Sequence, residues 1–157
     1  MSINIGDIVP NFACVADDGE TRDLAAQKGR WLVLFFYPKA STPGCTTESK
    51  DFSALREQFA AADCDVWGCS TDSVRRQANF RDKQELTVPL LADEERQVHE
   101  VFGAWQEKKN YGRVYMGTVR STYLIDPQGR LAEAWPKVRV KGHADAVLEA
   151  LKAKQAE

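Results

Sequence analysis

The sequence lacks the features that place a protein in a membrane or on a nucleic acid. No apolar run approaches the roughly 20 residues that a membrane-spanning helix needs. The formal net charge is −2, so no excess of basic residues favours nucleic acid or an anionic lipid surface. Residues 1–7 have neither the basic nor the apolar region of a secretory signal, and we therefore expect a cytoplasmic protein.

Spacings typical of metal sites and disulfide frameworks are also missing. The two histidines, His99 and His143, lie far apart in the sequence and are interpreted as structural. No pair of cysteines has the C-x-x-C spacing, and the four cysteines are Cys14, Cys45, Cys64 and Cys69. Because this pattern provides no local ligand set, we expect no bound metal and no structural disulfide.

What is present is an ordinary globular composition in a short chain. The 157 residues are 43% hydrophobic and 28% charged, with no repeat, low-complexity segment or linker. A chain of this length buries a full core without disulfides. We therefore expect a single domain that spans 1–157.

The first half of the chain predicts a strand–helix–strand unit. Trp31 to Tyr37 are all apolar, which is typical of a central strand that is buried on both faces. Apolar residues then recur with helical spacing, which predicts a helix from Cys45 to about Ala61. The next strand is predicted over 66–70, parallel to the first through a right-handed crossover.

The remaining segments complete an α/β pattern. Hairpins are predicted over 12–24 and 122–135, and helices at 73–83, around 98–102 and near the C-terminus. The basic stretch from Lys108 to Arg120, with Trp105 before it, is predicted to be a solvated loop. This order favours an α/β fold with a mixed central sheet flanked by helices.

Cys45 has the most distinctive setting in the chain. It follows the apolar strand and a turn that contains Pro43 and Gly44, and it opens the predicted helix. The N–H groups and the dipole of a helix N-terminus stabilise a thiolate over a thiol, which makes such a cysteine a nucleophile. The alternative is that Cys45 is a small buried hydrophobic residue, which is the commoner role of a lone cysteine.

Two segments together resemble the active site of the peroxiredoxin family. The spacing Pro38-x-x-x-Thr42-x-x-Cys45 is similar to the active-site pattern of that family, and a later segment resembles the one that supplies its arginine, here Arg120. The segment Val140–Ala144 resembles the corresponding sequence of the bacterioferritin-comigratory or peroxiredoxin Q branch of that family. The resemblance implies a thioredoxin-like fold, a thiol peroxidase acting on hydrogen peroxide and organic hydroperoxides, and no bound cofactor.

The peroxide reduction that the resemblance implies predicts a role for each of these residues. Cys45 attacks one oxygen of the O–O bond and becomes a sulfenic acid. Arg120 supplies a rigid fork of donors for the departing oxygen, and Thr42 supplies a hydroxyl for the thiolate and the peroxide. Pro38 shields the pocket from water, and Glu48 holds Arg120.

Simpler interpretations remain open for the residues around Cys45. Thr42 also suits a helix N-cap, and Pro38 also suits the end of a strand. Glu48 is favourable at a helix start through its charge alone, and Arg120 could be a surface arginine.

A second, resolving cysteine is absent from the positions where many relatives carry one. Those positions hold Lys50 and Arg81 here. Cys14 is a weak candidate, because the N-terminal strand could expose it. Cys64 lies beyond the far end of the helix, roughly 25–28 Å from the reactive cysteine at 1.5 Å per residue, which is too far for a disulfide. Cys69 lies in an apolar strand and is interpreted as a core residue.

The missing resolving cysteine predicts a one-cysteine cycle, in which an external thiol regenerates the enzyme. Because no long exposed apolar face is evident in the sequence, we also expect a monomer. The candidate reductants are thioredoxin, or glutathione with glutaredoxin. A two-cysteine cycle with a non-standard resolving cysteine is the first alternative. The others are a thiol–disulfide oxidoreductase, for which the second sulfur of C-x-x-C is missing, and a non-catalytic thioredoxin-like binding module.

Overall fold

Nine strands and four α-helices organise residues 3–157, the part of the chain that the computed structural model describes. The strands are β1 (Ala13–Val15), β2 (Thr21–Asp23), β3 (Trp31–Phe36), β4 (Cys64–Ser70), β5 (Leu90–Ala92), β6 (Trp105–Asn110), β7 (Arg113–Thr118), β8 (Ser121–Ile125) and β9 (Leu131–Trp135). The helices are α1 (Pro43–Ala61), α2 (Val74–Gln84), α3 (Gln97–Phe102) and α4 (His143–Gln155), with a short 3₁₀ helix at Leu24–Gln27.

Five of the strands form a central sheet in the order β5-β4-β3-β8-β9. β3 lies in the middle, parallel to β4 and antiparallel to β8, which is the position expected for a continuous apolar strand. β9 pairs antiparallel with β8, and β1 pairs antiparallel with β2. The predicted mixed sheet, the parallel strand pair and both predicted hairpins are therefore confirmed.

The central sheet separates two hydrophobic cores. Successive side chains of a strand point to opposite faces, so alternate residues of β3 enter different cores. Val33 and Phe35 face the core that α1 and α4 cover. Leu32, Leu34 and Phe36 face the core beneath α3 and the N-terminal hairpin.

The segment before Arg120 differs from the prediction. The expected solvated loop is an antiparallel hairpin of β6 and β7, joined by Tyr111 and Gly112. Both turn residues have positive φ, 52° and 77°, as a tight two-residue hairpin turn requires. The pattern hid these strands because tyrosine is not a typical residue for such a turn. In addition, β7 exposes most of its side chains, so its sequence shows no alternation of buried and exposed positions.

Across residues 3–157, no helix has the length and apolar character needed to cross a membrane.

Candidate active site

A short turn between β3 and α1 sets the position of Cys45. β3 ends at Phe36, and α1 begins at Pro43 with Cys45 in its first turn. Proline fits this first helical position because its missing N–H has no partner within the helix in any case. The first-turn N–H groups around Cys45 favour a negative charge there.

Thr42 occupies the N-cap position of α1, but its side chain makes no capping hydrogen bond. Its hydroxyl donates to the carbonyl of Lys39 at 2.8 Å, and its own carbonyl accepts from the N–H of Thr46 at 2.8 Å. Within residues 3–157, no hydrogen bond joins Thr42 to Cys45. Because the hydroxyl proton is already donated, the lone pairs of Thr42 remain available to accept a hydrogen bond.

The guanidinium of Arg120 contacts both Cys45 and Glu48. Nη2 donates to the Sγ of Cys45 at 3.3 Å, and Nη1 donates to Oε1 of Glu48 at 2.7 Å. Cys45 and Glu48 lie about one turn apart on α1, whereas Arg120 lies in the two-residue connection between β7 and β8. The fold therefore brings together residues that are 72 and 75 positions apart in sequence.

Gly44 lets the guanidinium come this close to the start of α1. A Cβ on Gly44 would lie 3.2 Å from Nη2 of Arg120, the nitrogen that donates to Cys45. A larger residue at this position would press on the group that contacts the sulfur.

The carboxyl group of Glu48 is buried beside Arg120. Its side chain is 1% exposed, and its Oε2 has no hydrogen-bond partner in the described part of the chain. Burial raises the pKa of Glu48 to about 7, although the guanidinium of Arg120 acts in the opposite direction. The charge next to Arg120 therefore changes close to neutral pH.

His143, at the start of α4, lies near the same guanidinium and has the opposite pKa shift. Its Nε2 is 2.8 Å from Oγ1 of Thr122. Burial, and secondly the positive charge of Arg120, lowers the pKa of His143 to about 4. At neutral pH the ring is therefore uncharged, and it packs edge-on against Phe52 and Trp135.

These two residues have opposite effects on stability as the pH changes. The pKa of Glu48 is higher in the folded protein (about 7) than its ordinary 4.5, so its contribution is lost as the pH rises from about 4.5 to 7. The pKa of His143 is lower in the folded protein (about 4) than its ordinary 6.5, so its contribution is lost as the pH falls from about 6.5 to 4. The two slopes partly cancel in the native protein.

A difference measurement separates the contribution of Glu48. The free energy of unfolding of the native protein minus that of Glu48→Gln is expected to fall by up to about 1.4 kcal/mol per pH unit as the pH rises from about 4.5 to 7. Urea unfolding across this pH range measures it. His143→Asn, compared in the same way, should give a difference that rises with pH. A constant difference for Glu48→Gln would contradict the assignment of a raised pKa.

The side chain of Cys45 is buried at the start of α1. Cys45 has no exposed area, although its neighbours Thr42, Gly44 and Thr46 are half-buried and Pro43 is exposed. A small molecule therefore reaches the sulfur only when the residues around it shift. Pro38, the other residue of the predicted pattern, is half-buried directly after the buried Tyr37.

The other three cysteines are also buried, and the expectation that Cys14 could be exposed was wrong. Cys14 is only 8% exposed, because the chain after β1 is bridged to β5, a strand that the sequence pattern did not predict. Burial raises the pKa of Cys14 and of Cys64 to about 12, and it raises the pKa of Cys69 well above its ordinary value. Cys14 and Cys69 belong to the core on the face of the sheet opposite Cys45.

Arg81 and Lys50, which stand where the resemblance would place a resolving cysteine, have other roles here. Arg81 on α2 donates from Nη1 to the buried carboxylate of Asp17 at 2.9 Å. This ion pair ties α2 to the segment between β1 and β2. Asp17 also accepts from the N–H of Leu90, the first residue of β5. Lys50 is an exposed residue of α1.

Sequence reasoning missed a buried polar cluster on the opposite face of the sheet. Asp93, His99 and Thr118 form a hydrogen-bonded chain there, and Cys69 lies beside it. The ligand atoms of Cys69, Asp93 and His99 lie within 4.8 Å of one another, a distance that local sequence spacing does not reveal. Both ring nitrogens of His99 already have partners, however, so a metal ion would have to displace one of them.

Comparisons with known proteins agree with this geometry. The model of the AhpC/TSA family matches residues 5–134. Peroxiredoxin Bcp of Bacillus subtilis (strain 168) is 46% identical over 152 residues, which is 97% of either chain. A cysteine-to-serine mutant of Xylella fastidiosa PrxQ superposes with a TM-score of 0.94 at 39% identity, covering 100% of this chain and 99% of that chain.

A further solved structure is that of the Xanthomonas campestris bacterioferritin comigratory protein, which is described in terms of its alkyl peroxide reduction activity. It has a TM-score of 0.88 and 45% identity, and the match covers 91% of each chain.

The fold and the site define a thiol-dependent peroxidase with a thioredoxin-like fold. The chain belongs to the AhpC/TSA family, and its relatives are the peroxiredoxin Bcp and peroxiredoxin Q proteins.

Proposed function

We propose that Cys45 is the residue that reduces peroxide, with Arg120 and Thr42 as the groups that bind the oxidant. The observation that carries this proposal is the contact of Arg120 Nη2 with the Sγ of Cys45 at 3.3 Å. The thiolate attacks one peroxide oxygen, the O–O bond breaks, and the other oxygen takes up the proton that the thiol released on ionising and leaves as water or an alcohol. Cys45 becomes a sulfenic acid, so the sulfur is oxidised by two electrons while the peroxide is reduced by two.

Arg120 and Thr42 offer complementary hydrogen-bonding groups to the peroxide. The N–H groups of Arg120 favour the thiolate and the negative charge that develops on the departing oxygen. The hydroxyl of Thr42, which donates to Lys39, accepts from the O–H of the incoming peroxide. Pro38 adds no donor and limits the access of water, and Glu48 acts as a positioning residue through its ion pair with Arg120.

The proposed substrates are hydrogen peroxide and organic hydroperoxides. The alkyl peroxide reduction described for the X. campestris relative supports the second class. Because Cys45 has no exposed area, a bulky hydroperoxide requires a larger shift of the surrounding turn than hydrogen peroxide does.

We propose further that the cycle uses one cysteine of this chain. The sulfenic acid of Cys45 reacts with an external thiol, which forms a mixed disulfide and releases water. A second external thiol then attacks that disulfide, so Cys45 returns to the thiol and the two external thiols leave as a disulfide. The separation of Cys14 and Cys69 from Cys45 by the sheet supports this cycle, as does the position of Cys64 after the far end of the 19-residue helix α1.

Mass spectrometry after one equivalent of hydrogen peroxide tests the one-cysteine cycle. We expect a chain that has gained one oxygen atom and that forms an adduct with dimedone at Cys45. The Cys14→Ala variant should give the same products, which is the control for Cys14 as a resolving cysteine. A product that has lost two hydrogens and joins Cys45 to another cysteine would refute this cycle.

The proposed reductant is an external thiol, either thioredoxin or glutathione with glutaredoxin. Four buried free cysteines and a cycle that needs external thiols suit a reducing compartment, so we propose a cytoplasmic location. We also propose that the chain is a single domain and acts as a monomer.

A further inference from the structure

We infer that Asp93, His99 and Thr118 form a relay of positioning residues that holds Arg120 in place from the face of the sheet opposite Cys45. This inference rests on the role proposed above for Cys45 and Arg120. None of the three residues contacts the sulfur, and they come from three different elements of the fold.

The relay begins at the carboxylate of Asp93, directly after β5. Its Oδ2 accepts from the backbone N–H of His99 at 2.9 Å and lies 2.6 Å from Nδ1 of the same residue. These two contacts fix the ring of His99 at the start of α3. The ring is also held edge-on by Phe36 of β3, with the centroids 4.7 Å apart.

The second step joins His99 to Thr118, the last residue of β7. Nε2 of His99 lies 2.9 Å from Oγ1 of Thr118. Because the carboxylate of Asp93 only accepts hydrogen bonds, Nδ1 of His99 is the donor in that contact, and Nε2 is left to pair with the hydroxyl of Thr118. Asp93, His99 and Thr118 are at most 3% exposed, so solvent does not compete for these bonds.

The third step runs along the backbone from Thr118 to Arg120. Only Val119 separates them, and its N–H donates to the carbonyl of Ala104 at 2.8 Å. The carbonyl of Thr118 accepts from Nζ of Lys108 at 2.9 Å, and that of Arg120 accepts from the N–H of Val138 at 3.0 Å. The connection that carries Arg120 is therefore held by several hydrogen bonds, and the bond to His99 is the one that the side chain of Thr118 makes at its start.

This arrangement matters because Arg120 has to satisfy two contacts at once. Its Nη1 and Nη2 meet Glu48 and Cys45, so a small displacement of its backbone lengthens one contact or the other. Catalytic groups lose much of their effect when they are misplaced by about 1 Å, up to about 100-fold in rate. A hydrogen bond that fixes the end of β7 therefore acts on the reaction without touching the reactants.

The test uses a matched pair of substitutions at Thr118. Thr118→Val keeps the shape and removes the hydroxyl, whereas Thr118→Ser keeps the hydroxyl and removes the methyl group. We expect Thr118→Val to slow the oxidation of Cys45 by hydrogen peroxide about tenfold, and Thr118→Ser to stay within about twofold of the native rate. A role in packing alone predicts the reverse order, because only serine leaves a gap.

A double-mutant cycle shows whether the effect passes through Arg120. In the Arg120→Met background, Thr118→Val should have no further effect on the rate, because the group that the relay positions is gone. Urea unfolding checks that each variant is folded. Should Thr118→Val fail to fold, His99→Gln is measured in the same cycle with the same expectation.

The outcomes separate the two proposals. If Thr118→Val reacts at the native rate while Arg120→Met is slow, the relay is overturned and the role of Arg120 stands. If Thr118→Val slows the reaction by the same factor in the native and in the Arg120→Met background, the relay is also overturned, because the effect does not pass through the guanidinium. If Arg120→Met itself reacts at the native rate, the proposed active site fails, and the relay fails with it.

Discussion

Cys45→Ser is expected to reduce peroxide consumption to the level of buffer alone. A serine hydroxyl is not ionised at neutral pH and is a far weaker nucleophile than a thiolate, so the loss should amount to several orders of magnitude. The measurement is stopped-flow mixing with hydrogen peroxide, followed by intrinsic tryptophan fluorescence and by assay of the remaining peroxide. We expect a rapid fluorescence change in the native protein and none in Cys45→Ser.

Cys64→Ser is the matched control for this experiment. Cys64 is also buried and also lies in the core that contains Cys45. Its Sγ donates to the carbonyl of Asp65 at 3.3 Å, a hydrogen bond that a serine hydroxyl can also make. We expect this variant to keep the native rate. If Cys45→Ser and Cys64→Ser both consume peroxide like the native protein, Cys45 is not the reacting residue.

Arg120→Met is expected to lower the rate constant for oxidation of Cys45 by about 100- to 1,000-fold, the usual loss when a fixed donor at a developing charge is removed. Arg120→Lys should recover only part of that rate. An ammonium group is a compact charge and does not reproduce the two-pronged contact with Cys45 and Glu48 at 3.3 and 2.7 Å. The measurement is the second-order rate constant with hydrogen peroxide, with the fold of each variant checked by urea unfolding.

Arg113→Met controls for the loss of a positive charge. Arg113 is an exposed residue at the start of β7, five strand positions before Thr118. The substitution changes the net charge by the same amount as Arg120→Met but lies at the far end of the strand. We expect it to leave the rate within about twofold, as is usual for exposed charges. Equal losses in both variants would mean that long-range attraction, rather than contact with the sulfur, explains the effect of Arg120.

The residues proposed for the site could be selected from the sequence because most of them are local. Cys45, Thr42 and Pro38 lie within eight positions of one another, between a strand and a helix that both have clear apolar patterns. Arg120 was found through its resemblance to a known segment. Its contact with Glu48 was expected, but the division of the two guanidinium nitrogens between Cys45 and Glu48 is set by the tertiary structure.

What the sequence did not predict follows from three missed strands, β5 and the two strands of the β6–β7 hairpin. β5 has only three residues, which is too short for a periodic signal. The burial of Cys14 depends on the bridge between the chain after β1 and this strand. The hairpin of β6 and β7 was expected to be a loop, so nothing indicated that Thr118 ends a strand next to His99. Contacts between elements that are distant in sequence carry no local pattern from which they could be derived.

The sheet separates the sulfur of Cys45 from those of Cys14 and Cys69, and in the proposed cycle this separation would limit how fast the enzyme works in a cell. Each peroxide molecule takes two electrons, and in the proposed one-cysteine cycle no second thiol of this chain replaces them. Cys14 and Cys69 lie on the opposite face of the sheet, and Cys64 follows the far end of α1. When the peroxide concentration rises suddenly, every chain would react once and would then stay oxidised until an external thiol reduces it. The steady-state rate would therefore follow the concentration of low-molecular-weight or protein thiols around it, and cells short of reductant would accumulate the oxidised form.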